Sequence, residues 1–428
     1  MTNISRREFI KAASISGCLL PGVGISDLSW GKNKSSDPLL LTLFLRGGAD
    51  GLNMVSPVND VNLIEARPTD LRILEAGPQA GFLLNQTQSS NLGFYLHREA
   101  APLFELYKAK QLAIIHAVGI NNATRSHEEA QSIIDRGVGN FNDKSYGQNT
   151  PGWLARAVNG QKSIQSEKFI AAYSSSTITP LCLEGINSSL VTPNINSGLH
   201  IPWGKSTVDF LKAITASTVK FNPSPIANAM NNALGMQEKI NYSVQRDSTG
   251  RVLPYQASGK ANYEDAGDLS NSLSSIARLA KMDVGLKVAN INLGGWDTHE
   301  NQSGQFAGAM RRLAKGLSAF YEDMTSSNQA VTIVVLTEFG RRVRSNKSQG
   351  TDHGHGACWF VLGDRVNGGD ILGRWPGLQS GEMDQGLDLA VTTDYRQILA
   401  ESMRASNLNV GEALGGWEIR SKSLGLFI

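Results

Sequence analysis

Apolar residues cluster in short, nearly continuous runs separated by Gly-rich polar stretches. Residues 37–45 (DPLLLTLFL) are such a run, as expected of a strand covered on both faces. Leu112 to Val118 (LAIIHAV), Phe169 to Tyr173, Lys287 to Leu293, Val331 to Leu336 and Ala357 to Leu362 read the same way. Helical periodicity falls between them, at Leu103 to Lys110, His127 to Asp135, Pro225 to Gln245 and Asp268 to Lys281. The longest helical stretch is Phe306 to Met324, with Phe306, Met310, Leu313, Leu317 and Phe320 on one core-facing stripe. Asp394 and Gln397 fit an N-terminal capping pair for a helix running to about Ser406. Strand and helix alternate with few hairpin signals, which predicts a mainly parallel sheet between helices. From about 175 to 265 the chain is polar, rich in Ser and Asn, and lacks long apolar strands. That segment reads as an insertion or cap beside the sheet.

Composition narrows the class. The chain has 428 residues, 41% hydrophobic and 18% charged, enough for a substantial core. Net charge is +2, and residues 1–36 carry five basic against two acidic residues. The remainder is therefore near neutral, and no basic face for nucleic acid is expected. Ser5-Arg6-Arg7-Glu8-Phe9 followed by a mild apolar stretch reads as a twin-arginine export signal, with a periplasmic or extracellular destination and the twin-arginine translocase as transient partner. The stretch is too short and Gly-rich for a spanning helix, and no later transmembrane segment is expected. Cys18 sits in a sequence resembling a lipoprotein box, the alternative to simple cleavage. With three Cys there is no disulfide framework, and Cys182 and Cys358 read as buried thiols.

Candidate chemistry gathers where the strands stop. Arg46 to Asn53 (RGGADGLN), Gly294 to Gln302 (GGWDTHENQ) and Val334 to Arg341 (VVLTEFGR) follow strands, and Gly350 to Gly356 (GTDHGHG) precedes one. Three of the seven His lie in these clusters. Acids and imidazoles at one edge of a parallel sheet converge although they are distant in sequence, and a divalent metal is the usual reason to gather them. The expected ligands are Asp50, Asp297, His299, Glu338, His353 and His355, for zinc, calcium, magnesium or manganese. Thr124-Arg125-Ser126-His127 lies between a strand and a helix. Ser126 there is an N-cap, with Glu129 completing a capping box, and also a candidate nucleophile. Arg125 and Arg46 are candidate anion clamps.

The order of these clusters resembles the alkaline phosphatase and sulfatase superfamily. In that pattern Asp50 matches the acid after the first strand and Ser126 the nucleophile, with Asp297, His299, Glu338 and His353 as the later metal group. More specifically, LRGGADGLN, TRSH, GGWDTHENQ, TEFGRR and GTDHGHG resemble a family of twin-arginine-exported bacterial proteins, domain of unknown function 1501. The resemblance implies a three-layer α/β/α, alkaline-phosphatase-like domain over 37–428 and a metal-dependent hydrolase of phosphate or sulfate esters. Small anionic esters or polysaccharides would be substrates. Phe339 stands where the phosphatase pattern has a His, and Glu338 where it has Asp. The alternative is a non-catalytic envelope or assembly protein that keeps the fold and a structural metal.

Overall fold

The computed structural model describes residues 38–84, 92–121, 124–139, 150–161, 170–186, 188–201, 203–221, 225–415, 417 and 422–428. The paired-arginine leader, Cys18 and Phe169 lie outside the described residues. The strands that matter for the site are β1 (Leu39–Leu45), β2 (Leu112–Gly119), β3 (Ala172–Ser174), β4 (Ser189–Val191), β5 (Val288–Leu293), β6 (Val331–Leu336), β7 (Arg341–Ser345), β8 (Thr351–His353) and β9 (Ala357–Gly363). The helices are α1 (His127–Arg136), α2 (Lys205–Phe221), α3 (Pro225–Ser243), α4 (Leu269–Lys281), α5 (Gln302–Ser326) and α6 (Tyr395–Ala405).

The main sheet runs β2-β9-β6-β1-β5-β3-β4. β1 pairs in parallel with β5 and β6, and β3 in parallel with β4 and β5. β9 is reversed, antiparallel to both β2 and β6. The sheet is thus mainly parallel, as the apolar runs predict. Every residue of β1 is buried, and alternate residues enter different cores. Leu39, Leu41, Leu43 and Leu45 pack with Leu273, Ile276, Leu313 and Leu317 of α4 and α5. Leu40 and Phe44 pack with Ile133 of α1 and Ile398 and Leu399 of α6. Two separate apolar interfaces, one on each face, make the three-layer α/β/α arrangement. Thr42 is tolerated inside because its hydroxyl donates to the Ala289 carbonyl at 3.3 Å and accepts from Asn290 at 3.1 Å.

Three local readings change. α5 begins at Gln302, one turn before the first predicted core residue, Phe306. Arg341–Ser345 and Thr351–His353, which carry no hairpin signal, form a two-stranded antiparallel ribbon with Arg341 opposite His353. At the N-terminus of α6 Asp394 caps as predicted, accepting from the Arg396 N–H, but Gln397 donates to the Lys422 carbonyl and does not return to the cap. Residues 175–265 supply the short edge strand β4 and the α2–α3 pair. A cavity of about 780 Å³ lies between them, lined by Leu190, Leu199, Leu211, Met230 and Leu234, and none of the strand-end acids or imidazoles lines it. No helix among the described residues is long and apolar enough to cross a membrane.

The C-terminal ends of β1, β2, β5 and β6 share one rim of the sheet, and the reversed β9 brings its N-terminal end to the same rim.

Candidate functional site

At that rim the loop after β5 presents Asp297 and His299, the end of β8 presents His353, and the first turn of α1 presents His127. His127, Asp297 and His353 offer donor atoms that all lie within 4.8 Å of one another. His299 joins them: its Nε2 is 3.1 Å from Asp297 Oδ1 and 2.9 Å from His353 Nε2. His353 Nε2 is 3.2 Å from the same carboxylate oxygen, and His127 Nε2 is 3.4 Å from Asp297 Oδ2.

The opposite ring nitrogens decide what these contacts mean. His353 Nδ1 faces the Arg125 carbonyl at 2.8 Å. His299 Nδ1 faces Asp352 Oδ1 at 3.3 Å, and His127 Nδ1 faces Glu338 Oε1 at 2.8 Å. Carbonyls and carboxylates only accept, so each Nδ1 carries a hydrogen, and a ring in its neutral form turns a bare Nε2 inward. His299 and His353 then point lone pair at lone pair across 2.9 Å, beside a carboxylate. Such a contact is repulsive unless a proton or a metal cation is shared there. His127 Nε2 is also buried without a hydrogen-bond partner. Imidazoles that anchor Nδ1–H on an acceptor and converge through Nε2 are the usual arrangement of a metal-binding shell. The donor set therefore fits a divalent cation held by His127, His299, His353 and Asp297.

Surrounding charges are consistent with that use. Burial alone would raise the carboxyl of Asp297, but the Arg341 guanidinium, 2.5 Å away, and the His353 ring bring it below the usual range. Burial would likewise raise Glu338. The bonds from His127 and Gln131, with the Gly47 N–H, hold it down to about 2 instead. His127 is raised by the Glu338 hydrogen bond against the opposing pull of burial. His353 is lowered, first by burial and then by Arg341 and His127. Glu338 is thus an ionised anchor behind His127, reached through that ring. Phe339, fully buried, packs its ring 5.0 Å from His127 and 4.8 Å from His353 and closes the apolar side of the cluster.

The structure brings together Asp297, His299 and His353 of the sequence-predicted ligands, places Glu338 one shell out, and parts two others from them. Asp50 is turned away: Arg67 grips both its oxygens at 2.7 and 3.0 Å, and Gln302 donates to Oδ2 at 2.6 Å. His355 points elsewhere too, with Nε2 on the Ile120 carbonyl at 2.9 Å and Nδ1 on Asp384 at 3.1 Å. Neither predicted anion clamp is free. Arg46 bonds Asp135 at 2.8 Å and Asn292 at 3.0 Å, and Arg125 is paired with the buried Asp388. Ser126 is the N-cap of α1, exposed, accepting from the Glu129 N–H at 3.5 Å. Glu129 spends its carboxylate on Thr124 at 2.6 Å, so the expected reciprocal capping box is only half formed. His127 is the ligand candidate that the sequence reading passes over. Its position next to the candidate nucleophile, in a strand-to-helix turn, was the available signal.

Fold and site together define a three-layer α/β/α protein with a histidine–carboxylate cluster at the rim of a mainly parallel sheet. Within that class, the chain belongs to the family described as "Protein of unknown function (DUF1501)", which matches residues 37–403. No curated protein matches its sequence. Among solved structures it is similar to a phosphonate monoester hydrolase from Silicibacter pomeroyi, with 7% identity, a TM-score of 0.39, and coverage of 90% of this chain and 76% of that one. Alkaline phosphatase from the Antarctic bacterium TAB5 gives 11% identity, a TM-score of 0.35 and coverage of 87% and 99%. The periplasmic domain of EcEptC from Escherichia coli, complexed with Zn, gives 10%, 0.36, and coverage of 76% and 73%. At such scores the likeness assigns no chemistry to this chain.

Proposed function

We propose that the chain is an exported, metal-dependent hydrolase of phosphate or sulfate esters. The observation that carries the reading is the convergence of three Nε2 atoms and one carboxylate, each ring braced from behind by an acceptor. Asp297 and Asp352 side chains are 46% and 49% exposed, so the cluster opens to solvent, as a catalytic centre must and a sealed structural metal site need not. Three imidazoles with one carboxylate favour zinc over calcium or magnesium, which prefer all-oxygen shells. A cation bound there would supply Lewis acidity and lower the pKa of a nearby hydroxyl.

The chain's own groups fill the remaining roles. Ser126, exposed at the start of α1 and adjacent to His127, is the nucleophile candidate. The N-terminal amides of α1 favour negative charge developing beside it. Glu338 holds the orientation of His127, and Asp352 that of His299. Export rests on Ser5-Arg6-Arg7-Glu8-Phe9.

A second reading, a non-catalytic envelope or assembly protein with a structural metal, is favoured by one observation. Arg46 and Arg125 are both committed to carboxylates and leave no guanidinium of that pair to clamp an anion. One experiment separates the two. The purified chain is analysed for zinc and then assayed with aryl phosphates and aryl sulfates. Zinc with ester turnover that vanishes in Ser126→Ala supports the hydrolase. Zinc without turnover on either ester class overturns it.

A further inference from the structure

We propose that Gln302 is a positioning residue that sets the separation of the two ligand-bearing loops; this rests on the reading of the cluster as a metal centre. Gln302 is the first residue of α5 and fully buried. Its Oε1 accepts from Thr298 at 3.1 Å and from Thr351 at 2.7 Å. Thr298 stands between Asp297 and His299, and Thr351 lies two residues before His353. One amide oxygen thus ties together the loop after β5 and the strand that delivers the opposing imidazole. Its Nε2 donates to Asp50 at 2.6 Å, and Asp50 is fixed by the two bonds from Arg67.

The backbone repeats the link. The Gln302 N–H donates to the Gln349 carbonyl at 2.9 Å, the Asn301 N–H to Ser348 at 3.0 Å, and the Thr351 N–H to Thr298 at 3.3 Å. Gly350 is pressed so closely on the His299 carbonyl that a Cβ there would lie 2.2 Å away. Neither an acidic nor an apolar side chain satisfies this bracket. Glutamate would bring a second anion against Asp50, and an apolar residue would leave two buried hydroxyls and one carboxylate short of a partner. This also gives Asp50 a role: it anchors the amide that spaces His299 and His353.

The test uses the full chain with zinc(II) alone, by competition against a chromophoric chelator, and with cobalt(II) for the ligand-field spectrum. Gln302→Met is expected to weaken zinc binding roughly 10- to 100-fold, the range seen when outer-shell partners of metal ligands are lost, and to alter the cobalt spectrum. Gln302→Glu should do the same, because its carboxylate would face that of Asp50, whose oxygens both already accept from Arg67. If Gln302→Met does not fold, the Glu variant decides. Wild-type affinity and spectrum in a folded Gln302→Met or Gln302→Glu chain would overturn the positioning role alone. A wild-type chain that binds neither metal would overturn the centre itself and this role with it.

Discussion

At the scale of single residues, orientation separates members of the cluster from near neighbours of the same type. His353 and His355 are two positions apart in a Gly-rich segment, yet one faces the cluster and the other the Ile120 carbonyl. Replacement of His353 or His299 by Ala should therefore lower zinc affinity by more than roughly 100-fold, a larger effect than loss of an outer partner. His355→Ala should keep the metal and cost about 1–3 kcal/mol of stability, because it strands a buried acceptor. Metal content after dialysis, with urea unfolding of the same samples, checks both outcomes. Asp297, His299 and His353 were legible because each adjoins an apolar strand with glycines beside it. Asp50 has the same context and was misplaced. What distinguishes it is the guanidinium of Arg67, which comes from a stretch with no readable period. His127 was hidden for the opposite reason: a helix start already explains a polar residue, so the pattern gives no cause to look further.

At the scale of elements, the close approaches are made by glycines. Gly340 follows β6 and sits against the residue just before β9: a Cβ on it would fall 1.9 Å from the Gly356 carbonyl oxygen. Gly340→Ala must push the β6 and β9 ends apart, so a loss of about 3 kcal/mol or more is expected in chemical denaturation, together with weaker zinc binding. Asp394→Ala should cost about 3 kcal/mol or more, through the lost cap of α6 and the lost ion pair to the buried Arg396 guanidinium, and leave zinc affinity unchanged. The strands and the long helices were readable from period alone, since β1 and β6 are buried along their whole length and α5 carries a regular apolar stripe. The β7–β8 ribbon was not, because its residues are charged and held by backbone and by Arg341, which donates to the carbonyls of Gly47, Gly48 and Thr351. The edge strand β4 is three residues long and falls below what alternation can signal.

At the scale of the whole molecule, two buried imidazoles away from the cluster set the response to acid. His97 is lowered to about 4, first by burial and then by Arg98, and His116 to about 3 by burial beside the rings of Phe94 and Trp375. The unfolded chain takes up protons on these rings near pH 6.5 and the folded chain does not, so the unfolded state binds more protons in that window. Stability should fall as pH drops from 6.5 and level off near 3 to 4, with about 2 kcal/mol lost per ring between pH 7 and pH 5. Urea unfolding of wild type and His116→Phe at the two pH values tests this; equal slopes would remove His116 from the account. The reversed direction of β9 has a further consequence, for the life of the chain on the ribosome. β9 joins β2 to the rest of the sheet, and the last imidazole arrives just before it. A nascent polypeptide that has not yet emerged past His353 lacks the full set of donors, and one not yet past Gly363 lacks a continuous sheet. An ion held at the rim would therefore report that the chain has been made at least as far as its last cluster imidazole.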